Sequence, residues 1–237
     1  MGDYWCGKGG EVFGWTWTEL LASKSSYFMP EKRILLRHLN EESMEHIMVE
    51  KLSELTVLTE EEKKAIVDSF EQVLKPKGTH LLREGQMARA AYFVLRGCVR
   101  TYMLREDEEI TTGFYTEGQS LQDFESLSTG KPSRFYFVCA EDCELLVLDA
   151  EKEKALYRAH PRFEIFCRQG TEQRMGEREL DLAEMISLKP EARYRILMEK
   201  RPELIHRVPQ HQIASFLGIK PETLSRIRQR LMQKSRT

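Results

Sequence analysis

Three polar residues lie at helical spacing near the end of the chain: Glu222, Ser225 and Arg226. Residues at i, i+3 and i+4 lie on one face of a helix, so these three side chains share a surface. Arginine can bond guanine through two hydrogen bonds, glutamate can accept from the cytosine amino group, and serine can do either. The spacing therefore predicts a polar helix face suited to the edges of bases in a major groove.

The residues around this face are suited to a phosphate backbone. Six basic residues and one acid lie between Lys220 and the last residue. Lysine and arginine hold phosphates and position a helix on DNA without reading its sequence. In addition to the three base-reading residues, we expect DNA contacts from Lys220, Thr223, Arg228, Arg230 and Gln212.

The segment that carries this face has the pattern of a helix-turn-helix. Such a pair needs a glycine in its turn, and Gly218 can take the left-handed backbone that a sharp turn requires. Pro221 fits the first turn of the second helix, where its missing N–H costs nothing. The alternative is an ordinary helical hairpin with a solvated face. Residues of the required apolar or small type stand at the locking positions, namely Ile213, Ala214, Leu217, Ile219, Leu224 and Ile227.

Charge is distributed unevenly along the chain. From Leu188 to the end there are 12 Lys/Arg and 4 Asp/Glu, a net charge of +8. The rest of the chain has 24 basic and 34 acidic residues, a net charge of −10. This asymmetry predicts that the C-terminal part, and not the remainder, meets a polyanion.

Two kinds of secondary structure are predicted ahead of the terminal segment. Short runs rich in aromatic and β-branched residues alternate with glycines from Thr79 to Leu148, which indicates six to eight antiparallel strands in a sandwich or barrel. Gly97 marks a tight turn between two of them. Helical patterns follow, and one starting at Pro161 could run about 25 residues. A helix of this length needs a partner, either a second copy of itself or only its own β-domain. The dimerisation seam would comprise Phe163, Phe166, Gly170, Leu180 and Ala183.

Composition excludes several other classes of protein. No apolar run approaches the roughly 20 residues that cross a bilayer, and no signal peptide is visible, so we expect a cytoplasmic protein without a membrane partner. The five cysteines are odd in number and widely spaced, which argues against a disulfide framework, a zinc set or an iron–sulfur cluster. No histidine pair, nucleophile elbow or phosphate loop is present, so we predict no enzyme activity, no catalytic residue and no metal site.

The stretch IASFLGIKPETLSRIRQRL, which follows the predicted strands and long helix, resembles the cyclic-AMP receptor protein/fumarate–nitrate regulator (Crp/Fnr) family of bacterial transcription regulators. The resemblance covers about residues 50–235. The stretch LLREGQMARAAYFVLRGCVRTYML is similar to the first strands of that family's β-roll. In the family, the residues that match Glu222, Ser225 and Arg226 reach base edges. Serine is typical of the fumarate–nitrate branch, whereas Pro221 replaces a basic residue of the cyclic-AMP branch.

The resemblance implies an α+β fold with four parts. Residues 1–43 would be an N-terminal extension, partly disordered at best, with Met44 or Met48 as alternative starts. Residues 44–150 would form a cyclic-nucleotide-binding-type β-roll, an antiparallel jelly roll. Residues 151–187 would form connecting and dimerisation helices, and residues 188–237 a winged helix-turn-helix. A homodimer bound to a palindromic site in double-stranded DNA, in contact with RNA polymerase, follows from the same resemblance.

The sensor pocket of the family falls in a segment that departs from its pattern. Members that bind cyclic AMP have a Gly-Glu pair for the ribose and an Arg-Ser pair for the phosphate. Alignment on Gly118 places Gln122 and Asp123 at the first pair, and Arg134 and Phe135 at the second. A glycine lets the backbone approach a phosphate closely, and Gln122 obstructs this approach. We therefore expect an effector other than cyclic AMP, or none, and Arg134 is otherwise a surface arginine.

The resulting hypothesis is a dimeric, sequence-specific DNA-binding transcription regulator with a β-roll sensor domain. The alternative is a cyclic-nucleotide-binding signalling module whose helical tail docks a protein partner. We expect any effector to act on the hinge near Ser187 to Pro190, because a residue before proline is biased away from the helical region.

Overall fold

The chain changes from helices to strands near residue 70 and back to helices near residue 150. The return to helices is as the sequence predicts, whereas the strands begin nine residues before the predicted Thr79, because Phe70–Lys75 pairs with the last strand. The computed structural model describes residues 41–54 and 56–234, and the proposed extension, residues 1–43, lies almost wholly outside them. The strands are β1 Phe70–Lys75, β2 His80–Leu82, β3 Ala90–Arg96, β4 Val99–Arg105, β5 Glu108–Tyr115, β6 Ser120–Leu121, β7 Tyr136–Cys139 and β8 Cys143–Asp149. The helices are α1 Glu41–Ser53, α2 Glu60–Ser69, α3 Phe124–Thr129, α4 Ala150–Ala159, α5 Arg162–Ser187, α6 Pro190–Lys200, α7 Leu204–Arg207, α8 Gln210–Phe216 and α9 Pro221–Lys234.

The eight strands form two four-stranded antiparallel sheets. One sheet has the order β1-β8-β3-β6 and the other has the order β2-β7-β4-β5. Val94, Val99 and Leu145 are fully buried in the core that the two sheets share. Alternating apolar residues on each strand produce this core, because successive side chains point to opposite faces. The predicted antiparallel β-domain is therefore confirmed, with strands at the upper end of the expected number.

Local signals in the sequence determine where several helices begin. Thr59 caps α2, and the Thr59 side chain and Glu62 form a reciprocal capping box, the arrangement typical of a threonine followed three residues later by a glutamate. The α5 helix has 26 residues and starts directly after Pro161. It ends at Ser187, and α6 begins at Pro190, which confirms the break expected before that proline.

The predicted seam on α5 is only partly available to another molecule. Phe163 is buried against Leu58 and Ile66 of the same chain, and Phe166 packs on the same cluster. Phe163 was wrong as a seam residue, because α1, α2 and α4 bring apolar partners to the start of α5, whereas Phe166 is only half-buried there. The helix instead exposes large apolar side chains farther along, namely Ile165, Met175, Leu180, Leu182 and Ile186.

Helices alone make up the part of the chain after β8. The order α6, α7, α8, α9 ends in two helices joined at Gly218, which has a φ of 65°. No strand occurs between residues 150 and 234, so the wing implied by the resemblance is not found among these residues.

The turn at Gly97 gives a direct test of this architecture. Gly97 has a φ of 105°, and a Cβ there would lie 2.6 Å from the Asp142 carbonyl oxygen and 2.8 Å from Cys143 Cα. We expect Gly97→Ala to lower the free energy of unfolding by roughly 2–4 kcal/mol, since backbone strain and overpacking add.

The matched control is Gly85→Ala, because Gly85 has a φ of 82° and nothing within 4 Å of the added Cβ. Strain alone should cost about 1–2 kcal/mol at that position. Urea unfolding of both variants measures the difference, and equal losses would contradict the crowded turn.

Candidate functional site

The polar face of α9 is directed outward because the opposite face is buried. Leu224 and Ile227 are each 1% exposed, and they pack on Ile213 and Leu217 of the preceding helix. Helical side chains on one side of the axis cannot turn inward while those on the other side form the core. The structure therefore confirms the amphipathic pairing of α8 and α9 that the sequence predicts.

The predicted DNA-contacting residues fall into two groups by exposure. Those predicted to read bases, Glu222, Ser225 and Arg226, are all exposed on the N-terminal half of α9. Gln212 is half-buried, and its side-chain oxygen is buried with no hydrogen-bond partner among the described residues. Of the remaining phosphate candidates, two are exposed, Lys220 and Arg230, and two are half-buried, Thr223 and Arg228.

Arg193 holds the turn between these helices, although no motif in the sequence marks it as a functional residue. Its Nη1 donates to the Leu217 carbonyl oxygen at 2.6 Å, at the end of α8. Its Nε donates to the Leu188 carbonyl oxygen at 3.1 Å, at the end of α5. One guanidinium thus satisfies carbonyls at the ends of two helices, which fixes the helix pair against the hinge after Ser187.

The α8 helix packs on the β-roll through its side away from α9. The Ser215 hydroxyl accepts from the Thr111 N–H at 2.9 Å and donates to the Glu109 carbonyl oxygen at 3.0 Å. Phe216 meets Phe114 edge to face, with ring centroids 5.5 Å apart. Strand β5 lies at the edge of its sheet. Its backbone groups at Thr111 and Glu109 therefore bond to the Ser215 side chain and not to a further strand.

Two arginines connect the helical part to the end of β5 and to the segment that follows it. Arg201 donates to the Phe114 carbonyl oxygen at 2.7 Å and to the Thr116 hydroxyl at 3.0 Å. Arg207 makes a two-pronged ion pair with Glu117, with both N–O distances 2.8 Å, and also bonds Glu141. We call Arg201, Arg207 and their partners the arginine clamp. Arginine suits this position because its planar fork matches a carboxylate.

The clamp changes the acidity of its main carboxylate. Burial pushes the pKa of Glu117 up, but hydrogen bonds from Arg207 and from backbone N–H groups, including that of Gly97, outweigh it. The net result is a pKa below the ordinary value of 4.5. Burial lowers the pKa of Arg207, yet its bonds to Glu117 and Glu141 raise it overall. The pair therefore stays ionised at neutral pH.

The predicted effector residues are engaged with nearby groups. The buried Asp123 carboxylate caps α3 by accepting from the Ser126 N–H at 3.1 Å. Arg134 is 67% exposed in its side chain and pairs with Glu125 at 2.7 Å. Phe135 packs against the β-roll core, and Gln122 is half-buried beside Asp123. Their role in effector binding stays a prediction.

A cavity of about 380 Å³ opens in the β-roll near α3. The Ser126 hydroxyl connects the two, because it accepts from the Ala88 N–H at 2.9 Å and donates to the Lys131 carbonyl oxygen at 2.7 Å. The cavity wall contains none of the four predicted effector residues. It consists of Leu81, Leu82, Gln86, Met87, Ala88, Arg89, Ala90 and Tyr92.

Two further properties are established for the described part of the chain. No helix in residues 41–54 and 56–234 combines the length and the apolar character needed to cross a bilayer. In the same residues, no three His, Cys, Asp or Glu side chains are placed to hold a metal ion.

An antiparallel β-roll followed by helices is the arrangement of a cyclic-nucleotide-binding-type domain joined to a helical C-terminal part. The chain matches the family "Cyclic nucleotide-binding domain" over residues 72–160. It is 28% identical over 178 residues to the cyclic AMP receptor protein of Thermus thermophilus, covering 72% of this chain and 81% of that protein.

Two solved structures share the fold. The c-di-GMP responsive global regulator CLP of Xanthomonas campestris has a TM-score of 0.61 at 16% identity, covering 75% of this chain and 93% of that one. FixK2 of Bradyrhizobium japonicum has a TM-score of 0.60 at 17% identity, covering 70% and 86%. The chain is therefore similar to the Crp/Fnr family of bacterial transcription regulators, the resemblance that the sequence predicts.

Removal of Arg207 tests the clamp. We expect Arg207→Met to lower the free energy of unfolding at neutral pH by about 1–3 kcal/mol, because Glu117 and Glu141 lose their shared donor. The figure is modest because the Arg207 and Glu117 side chains are 22% and 36% exposed, and water screens them. Urea unfolding measures the loss, with Arg195→Met as the exposed control, expected to cost under about 0.5 kcal/mol.

The pH dependence provides a second measurement of the same contact. A carboxylate whose pKa is lower in the folded state stabilises fully above its unfolded pKa and loses this contribution as the pH falls through the folded value. The wild type should therefore lose stability below about pH 4.5, the ordinary value for Glu117. Arg207→Met should show a shallower loss over this range, and an unchanged pH profile would contradict the clamp.

Proposed function

We propose that this protein is a homodimeric, sequence-specific DNA-binding transcription regulator whose β-roll responds to a small molecule. One observation carries the proposal: Glu222, Ser225 and Arg226 are exposed together on α9 while the opposite face of that helix forms the core. A helix of this kind fits a major groove, with its N-terminal residues at the base edges. We propose no enzyme activity and a cytoplasmic location.

Phosphate contacts would come from the residues that surround the reading face. Lys220 and Arg230 are exposed, and the Arg230 guanidinium lies 3.7 Å from Glu191, an ion pair too long to hold it firmly. Thr223, Arg228 and Gln212 would join them.

The dimer would form along the outer surface of α5. One narrow stripe of α5, about 40° wide around the helix axis, contains Met175, Leu182 and Ile186, at a spacing of seven and four residues. Their side chains are 64%, 60% and 78% exposed. Two copies paired here would present two α9 helices one DNA turn apart, about 34 Å, and so select a palindromic site.

An effector in the β-roll would act through α3 and the arginine clamp. The family matched over residues 72–160 binds cyclic nucleotides, which supports a small-molecule effector. The relative from Thermus thermophilus is named for cyclic AMP, whereas this chain has Gln122 where close approach of a phosphate needs glycine. We therefore propose an effector other than cyclic AMP, bound near Asp123 and Arg134, and a contact with RNA polymerase when bound to DNA.

The dimer proposal predicts the effect of charges on α5. We expect the double variant Leu182→Glu and Ile186→Glu to sediment as a monomer at micromolar concentration, because four carboxylates would meet across the two-fold axis. The wild type should sediment at about twice the 27.8 kDa of one chain. Val57→Glu is the control, because Val57 is 88% exposed on a different surface and should leave the dimer intact. A monomeric wild type would contradict the proposal.

The reading face predicts a change of specificity when Arg226 is removed. We expect Arg226→Ala to lose about 1–3 kcal/mol of affinity for the sequences that the wild type selects from a random DNA pool, and to relax the choice at one base pair of each half-site. Fluorescence anisotropy measures the affinity. Arg158→Ala, an exposed arginine on α4, is the control that keeps both properties. Equal losses on every sequence would assign Arg226 to the phosphates instead.

A further inference from the structure

Two arginines of the long helix α5 reach the β-roll, and neither forms an ion pair among the described residues. Arg174 donates to the Ser120 hydroxyl, and Arg178 donates to the Tyr115 hydroxyl. Both arginines are exposed. They are one turn apart, so they lie on the same face of α5 with their Cβ atoms about 6 Å apart. The proposed function uses neither of them.

The other two arginines of α5 have carboxylate partners. Arg162 Nε lies 2.6 Å from Glu62, and Arg168 lies 3.4 Å from Glu172. Glu177 follows the first unpaired arginine by three residues, but it accepts from a neighbouring glutamine at 3.2 Å. The unpaired arginines therefore meet neutral oxygens only. Each guanidinium has five N–H donors, so most of these donors remain available for another partner.

A lysine of α1 approaches the same part of the β-roll. The Lys51 ammonium donates to the Gly118 carbonyl oxygen at 3.3 Å and lies 5.2 Å from the centre of the Phe93 ring. Phe93 is directly opposite Ser120 in the ladder between β3 and β6, so these two side chains share one face of the sheet. Lys51 and Arg174 therefore lie at the same patch of the sheet, one from each helix.

This patch lies on the outer face of the β-roll. Phe93 packs against Met48 of α1, whereas Leu121, the neighbour of Ser120, points into the core between the sheets. Tyr115 packs its ring against that core, and only its hydroxyl reaches the helix. A group bound at the two hydroxyls would therefore lie between α5 and the β-roll, outside the sandwich.

The donors at this surface match a group with two linked phosphates. The planar fork of one guanidinium binds two oxygens of one phosphate or one carboxylate. Two forks one helical turn apart therefore suit two linked phosphates, whereas a single carboxylate would occupy only one of them. A hydroxyl that accepts from arginine can at the same time donate to a phosphate oxygen. The lysine supplies a third positive charge.

We propose that Arg174, Arg178 and Lys51, together with the hydroxyls of Ser120 and Tyr115, bind the diphosphate group of a small molecule between α5 and the β-roll. The group is either free diphosphate or the end of a nucleoside diphosphate. This site is separate from the effector residues proposed beside α3, and binding requires neither DNA nor that effector.

Calorimetric titration of the whole chain with inorganic diphosphate, at constant ionic strength, tests the site. We expect one diphosphate to bind per chain. Arg174→Met and Arg178→Met should each weaken binding at least about tenfold, because each removes a charged hydrogen-bond donor. Arg168→Met is the control on the same helix, since Arg168 already pairs with Glu172, and it should leave the affinity unchanged.

Two neutral variants distinguish a specific site from general attraction of anions to positive charge. Tyr115→Phe and Ser120→Ala each remove one hydroxyl and keep every charge, so each should weaken binding roughly threefold or more. AMP, which has one phosphate, should bind at least about tenfold more weakly than diphosphate. If ADP binds more tightly than free diphosphate, the ligand is a nucleotide; if ADP binds equally or more weakly, the ligand is free diphosphate.

Several results would overturn the proposal. Absence of binding to the wild type would leave the arginines as tethers between α5 and the β-roll. Equal losses in Arg168→Met and Arg174→Met, unchanged affinity in both hydroxyl variants, or equal affinity for AMP would reduce the binding to general charge attraction. Loss in Arg134→Met but not in Arg174→Met would assign the diphosphate to the proposed effector residues. No readout uses DNA, so this site and the proposed function can fail separately.

Discussion

The burial of one side of α9 is the constraint on which the rest of the account depends. Leu224 and Ile227 are almost completely removed from water by Ile213 and Leu217, and each such side chain contributes roughly 1.5–3 kcal/mol to the packing of the pair. Rotation of the helix would expose this apolar surface, so the opposite face has to remain outside. The exposure of the Glu222, Ser225 and Arg226 face is thus a consequence of the core of the helix pair.

The same helix pair is attached to the β-roll by directional contacts. Ser215 completes hydrogen bonds at the edge strand β5, while Arg201 and Arg207 bind the segment that leads from β5 towards α3. Ion pairs and hydrogen bonds of this kind are lost abruptly when their geometry changes, whereas apolar contacts tolerate small shifts. The proposed response to an effector would require this contact surface to have a second discrete arrangement, so that a change in the β-roll reaches α9.

Local rules predict the parts of this fold that depend on neighbours in sequence. The capping box of Thr59 and Glu62, the turn at Gly97 and the left-handed backbone of Gly218 all follow from residue type and short spacing. Contacts between distant residues do not follow from such rules. Arg207 and Glu117 are 90 residues apart, and nothing in either neighbourhood marks them as partners. Phe163 shows the same limit, since its place in the core depends on where α2 and α4 lie.

The predicted effector residues show what the family resemblance predicts about this segment and what it does not. Alignment places Asp123 at an effector position, whereas the structure shows it as the cap of a short helix, a role that the alignment does not predict. The alignment does not reveal that Arg134 pairs with Glu125, or that the cavity wall comes from β2, β3 and the segment between them.

Hydroxyl-radical footprinting on a DNA sequence selected by the protein tests most directly the claim that two α9 helices read two half-sites. A two-fold dimer that reads DNA with α9 should give two protected patches per strand, one helical turn or about 10 base pairs apart, related by two-fold symmetry. A single patch, or protection that does not depend on sequence, would contradict it.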